Sequence, residues 1–64
     1  MEFCKFCKSK MDLYETGIVE RNQRMYCYIC NNCHSYLDIT KNEKTGQVCQ
    51  ILRWDPFNKT ITNE

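Results

Sequence analysis

Apolar and polar residues alternate most regularly in the second half of the chain. Across Gln47–Trp54, Val48, Gln50, Leu52 and Trp54 fall on one side of an extended backbone and Cys49, Ile51 and Arg53 on the other, the period of two that a strand requires. Asp55-Pro56 ends that run, because proline cannot donate to a sheet ladder. Upstream, Met11-Asp12-Leu13-Tyr14 and Arg24-Met25-Tyr26-Cys27-Tyr28-Ile29 are rich in aromatic and β-branched residues and predict a hairpin, with Gly17 and Asn22-Gln23 available for its turn. Tyr36 to Thr40 predicts a further strand, and Lys41 to Gly46 a polar loop whose glycine supplies a positive φ. The tail from Phe57 onward fits either a short edge strand or an irregular segment. No segment carries a helical period.

Six cysteines change this picture from a thin sheet to a metal-stabilised one. Cys4-Lys5-Phe6-Cys7 and Cys30-Asn31-Asn32-Cys33 are two Cys-x-x-Cys pairs. A two-residue gap lets one tight turn present both sulfurs to the same ion, and zinc accepts four thiolates as a tetrahedron. The segment between the pairs, Lys8 to Ile29, has room for one hairpin and not for a separate domain. Cys4, Cys7, Cys30 and Cys33 are therefore the predicted ligands of one structural Zn²⁺. The 64-residue length explains why a metal is needed: a domain of about 60 residues buries only about 60% of the surface its unfolded chain exposes. The resulting fold class is a small all-β metal-stabilised domain, a zinc ribbon with rubredoxin-like knuckles and an antiparallel sheet of three to four strands. Residues 1–40 form the ribbon, and 41–64 add a hairpin strand and tail packed on it within the same domain.

Other uses of these cysteines are less well supported. The start Met1-Glu2-Phe3-Cys4 shows neither the basic residues nor the apolar stretch of a secretory signal, so the expected location is intracellular, cytoplasmic or nuclear, where thiols bind metal rather than pair as three disulfides. Cys30-Asn31-Asn32-Cys33-His34 formally matches a c-type haem attachment sequence, and Cys27, Cys30 and Cys33 match the opening of an iron–sulfur pattern. The first leaves Cys4 and Cys7 without a role. The second requires a cysteine and a proline where Leu37 and Asp38 stand. Cys27 shares a strand face with Met25 and Ile29, away from Cys30, and is read as a small buried residue. Cys49 fits a buried thiol as well as any other role, and His34 is read as a rim residue.

The formal charge of +1 overstates the folded protein's positive charge, since four thiolates and a zinc ion contribute about −2. Lys5, Lys8 and Lys10 crowd the first pair, and Arg21 and Arg24 lie near the predicted turn. These cations offset a doubly negative metal centre or contribute to a contact surface. A catalytic zinc keeps one position open for water, whereas four thiolates fill the tetrahedron. No glycine-rich phosphate loop or serine nucleophile motif accompanies the cysteines. The chain is accordingly read as a non-enzyme, without a small-molecule substrate and without a membrane-spanning run.

Phe3-Cys4-Lys5-Phe6-Cys7, Met11-Asp12-Leu13-Tyr14 and Tyr28-Ile29-Cys30-Asn31-Asn32-Cys33-His34-Ser35-Tyr36 together resemble the N-terminal zinc ribbon of the small ninth subunit of eukaryotic-type RNA polymerases and of the related archaeal transcript-cleavage factor S. The resemblance covers about residues 1 to 40. It implies a knuckle pair capping a three-stranded sheet with Cys4, Cys7, Cys30 and Cys33 as ligands. Those proteins carry a second ribbon with two more Cys-x-x-Cys pairs, whereas residues 41–64 here contain only Cys49. The Asp-Glu pair of the cleavage-competent members is also absent from this sequence, so cleavage is not implied. The function expected is a protein-binding module docking on RNA polymerase or another transcription complex. The alternative is a nucleic-acid-binding ribbon that uses Lys5, Lys8, Lys10, Arg21, Arg24 and surface tyrosines.

Overall fold

The computed structural model describes residues 2–63. Five strands, β1 (Asp12–Glu20), β2 (Gln23–Ile29), β3 (Tyr36–Asn42), β4 (Val48–Asp55) and β5 (Thr60–Asn63), form one antiparallel sheet in chain order. The all-β expectation holds, with one strand more than the three to four predicted. The undecided tail supplies it, as edge strand β5. Because β3 pairs with β2 on one side and β4 on the other, the sheet is continuous across residue 40.

Gly17 is not a turn residue. It lies within β1 opposite Met25, because Thr16, Ile18 and Val19 favour extended backbone and carry the strand to Glu20. The turn falls at Arg21-Asn22, where Asn22 takes φ 63°, a left-handed conformation that asparagine tolerates better than branched residues do. Two other turns follow one pattern. Asn42 Oδ1 accepts the Lys44 and Thr45 amides at 2.9 and 3.2 Å, and Asp55 Oδ1 accepts the Phe57 and Asn58 amides at 2.8 and 3.2 Å. Gly46, at φ 74°, closes the first of these, as its predicted role required.

Strand register separates the side chains into two faces. Tyr28, Leu37 and Arg53 form one row, and Tyr26, Ile39 and Ile51 the next. The two cysteine loops pack on this face, where Cys4, Met11, Cys30, Leu37 and Ile39 make the buried core, flanked by Phe6, Cys7, Tyr28, Cys33 and Ile51. The core is thus as much sulfur as hydrocarbon. With Met11, Leu37 and Ile39 as its buried non-cysteine side chains, each stabilising by about 1.5–3 kcal/mol, apolar burial alone is thin.

Candidate metal centre

The first loop lies before β1 and the second joins β2 to β3, so adjacent strands hold the two loops over one end of the sheet. Both loops have the same backbone. Cys4 N–H donates to Ser9 O at 2.8 Å and Lys8 N–H to Cys4 O at 3.0 Å; Cys30 N–H donates to Ser35 O and His34 N–H to Cys30 O, both at 2.9 Å. Lys8 and His34 occupy equivalent left-handed positions, each at φ 66°. The sequence contains the same repeat, Cys-x-x-Cys-x-Ser, at residues 4–9 and 30–35.

The loops aim Cys4, Cys7, Cys30 and Cys33 at a common point, with all four sulfurs within 4.8 Å of one another. The shortest approaches cross between the loops, Cys4 to Cys33 and Cys7 to Cys30, both 3.4 Å. These distances are far beyond the ~2.05 Å of a disulfide. They are close to the ~3.8 Å edge of a tetrahedron whose centre lies about 2.3 Å from each sulfur. The donor set therefore fits a metal ion such as zinc, and the four predicted residues are the ones that meet.

Polar groups around Cys4 and Cys7 favour the charged form of these two sulfurs. Burial raises the Cys4 thiol, but donation from the Ser35 hydroxyl and from the Cys7 and Phe6 amides outweighs it and lowers the pKa. Cys7 is held down to about 5, first by the Ser9 hydroxyl, then by the Asn32 side chain reaching across from the other loop. Cys33 is pushed up to about 11, by burial and by donating its proton towards Cys4 and Cys7. Four sulfurs this close cannot all be anionic without a cation among them. A metal dication bound there would replace those protons.

Ser35 is the site residue that sequence reasoning missed. It is 1% exposed, with its Oγ 3.0 Å from Cys4 Sγ and 3.4 Å from Cys33 Sγ, and so ties one loop to the other. The repeated serine, two positions after each second cysteine, was the available signal.

The remaining residues separate clearly. Cys27 is buried on the opposite face, outside the four-sulfur group, so an iron–sulfur arrangement of Cys27, Cys30 and Cys33 does not form. Cys30 and Cys33 face the other cysteine pair, and His34 is exposed at the rim, which does not suit haem attachment. Cys49 is exposed rather than buried, its sulfur 3.8 Å from Gln47 O. This strand end lies beyond the loops that cover the face. Comparison of the chain with protein-family models, curated proteins and solved structures gives no match. No helix among the described residues is long and apolar enough to cross a membrane.

Proposed function

We propose that the chain is a zinc ribbon in which Cys4, Cys7, Cys30 and Cys33 hold one structural Zn²⁺, and that the metal fixes a sheet whose purpose is to dock on another protein. The observation that carries this reading is the convergence of four sulfurs from two matched loops onto one point. Four thiolates complete a tetrahedron and leave no position for a water nucleophile, so the metal's role here is structural and we assign the chain no catalytic step. An intracellular compartment, where thiols stay reduced and bind metal, is the location that goes with this reading.

The partner we propose is RNA polymerase or another transcription complex, on the strength of the resemblance of residues 1 to 40. Tagged protein purified gently from its own cells and weighed by native mass spectrometry tests this assignment. One zinc per chain with polymerase subunits alongside is the expected result. Zinc without polymerase would remove the transcription assignment and retain the ribbon.

The nucleic-acid alternative gains little from the geometry. Exposed Tyr14 and Tyr36 lie on the sheet face away from the loops that carry Lys5, Lys8 and Lys10. Arg24 is paired with Glu43, and Lys41 sits over the Tyr26 ring at 5.6 Å. The exposed Tyr14–Tyr36 pair thus shares no face with the strand cations Arg24, Lys41 and Arg53, and Tyr26, which does, is only partly exposed, so stacking on this chain gets less support than protein docking.

A further inference from the structure

The loops cover one face of the sheet and leave the other open; the chain measures 34 × 20 × 15 Å. On the open face, register aligns Asp12, Ile29, Tyr36, Trp54 and Ile61 in a row across all five strands, and Glu15, Cys27, Asp38, Leu52 and Asn63 in the next. Tyr36 and Ile61 are exposed, and so is Tyr14, which meets Tyr36 edge to face at 6.3 Å and 66°. Cys27 and Asp38 are direct cross-strand partners in the row beside them.

Charge is divided between the faces. The strand cations Arg24, Lys41 and Arg53 all pair in the rows of the metal face, as do Ile18, Tyr26 and Leu37. Asp12, Glu15, Glu20 and Asp38 stand on the open face, where no lysine or arginine occupies a described strand position. The local field is correspondingly negative. Burial raises the Tyr14 hydroxyl, and Cys27, Asp38 and Glu15 raise it further.

We propose that this open face is a docking surface for a cationic, extended segment of a partner protein, with guanidinium or ammonium groups over Tyr14, Tyr36 and Trp54 and paired with Glu15 and Asp38. The proposal rests on the reading of the chain as a protein-binding ribbon and specifies the surface and the chemistry of its partner. Aromatic faces attract cations, arginine above all, and neighbouring carboxylates supply the complementary charge. The same carboxylates repel nucleic-acid phosphates and anionic lipid. A second copy laid face to face would set four carboxylates against four. The edge-to-face contact of Tyr14 with Tyr36 keeps the surface ordered before binding, which lowers the entropic cost of association.

Trp54 is the sole tryptophan and lies within this surface, so its emission reports occupancy. The zinc-loaded protein is titrated with a 12-residue peptide of alternating arginine and serine, and with its glutamate–serine counterpart. The arginine peptide shifts Trp54 emission saturably and the glutamate peptide does not. Glu15→Gln weakens binding about threefold and Tyr36→Ala about fivefold, while Lys41→Gln on the other face leaves affinity within about twofold. A folded, zinc-loaded protein whose tryptophan ignores the arginine peptide, or answers both peptides equally, overturns the surface and leaves the ribbon standing. Self-association through this face in sedimentation also overturns it. A chain that takes up no zinc overturns the ribbon reading and this surface with it.

Discussion

Ser35→Ala removes one oxygen from the most buried polar side chain described and tests whether the sulfur cluster is the functional centre of the fold. The hydroxyl lies 3.0 Å from Cys4 Sγ and 3.4 Å from Cys33 Sγ, one sulfur from each loop. With the thiolates metal-bound, it is a hydrogen-bond donor to a charged acceptor, an interaction that contributes about 1.5–3 kcal/mol. That corresponds to about one to two decades in an equilibrium constant. The loss typical of removing an outer-shell partner of a metal ligand, about 10–100-fold in affinity, gives the same range by a separate route. The substitution leaves the Cys4 sulfur with donors, because it keeps the amides of Phe6 and Cys7. Competition against a chromophoric zinc chelator under reducing conditions measures the effect. Ser9→Ala is the internal comparison, since Ser9 stands at the same place in the first loop but is only partly buried and bonds to Cys7. The expected order is a loss of one to two decades for Ser35→Ala and a smaller loss for Ser9→Ala. Zinc affinity of Ser35→Ala within about twofold of the parent, against that decade or more, would refute the reasoning.

Four further outcomes follow from particular positions. In the zinc-loaded chain iodoacetamide modifies exposed Cys49 and spares Cys27, which is buried with its thiol pushed up to about 11 by burial and by Asp38; one adduct by mass spectrometry is expected, and rapid formation of two contradicts the burial. That raised folded value, against the ordinary 9.0, makes Cys27 favour the fold below about pH 9 and oppose it progressively as pH rises towards 11, so Cys27→Val flattens the alkaline end of a stability profile. Gly17→Thr raises the melting temperature, because a Cβ there meets nothing within 4 Å and a strand interior gains up to about 1 kcal/mol on replacing glycine. Gly46→Ala lowers it, through a stability loss of about 1–2 kcal/mol, because φ 74° crowds a Cβ against the backbone.

The converging cysteines were legible because their spacing is itself the chemistry of a metal site. Two Cys-x-x-Cys pairs state a tetrahedral site without reference to anything around them, and the four predicted sulfurs do converge. Alternation also placed Gln50, Leu52 and Trp54 opposite Ile51 and Arg53, as the register with β3 shows, but it put Val48 on the wrong face, because an irregularity at Thr40/Lys41 pairs Val48 with Lys41. What stayed hidden depended on competition between local signals. Gly17 offered a turn, but the β-branched residues after it extended β1 and the turn moved to Asn22. The fate of the tail depended on Trp54 finding Ile61 across the Asp55 turn, a pairing no local pattern contains. Ser35 went unread because a serine beside a cysteine pair is unremarkable until the repeat at Ser9 is set against it.

The central claim is that a single metal ion, held by these four sulfurs, makes the chain fold. Structural zinc supplies about 10–16 kcal/mol in comparable small sites, more than the three buried apolar side chains give. The most direct test is titration of zinc into reduced, metal-free protein, followed residue by residue in amide nuclear magnetic resonance spectra. The account predicts collapsed spectra without metal and dispersed ones complete at one equivalent, with the same endpoint unreachable for Cys30→Ser. Dispersed spectra before any zinc is added, or zinc uptake that leaves the spectrum unchanged, would contradict it.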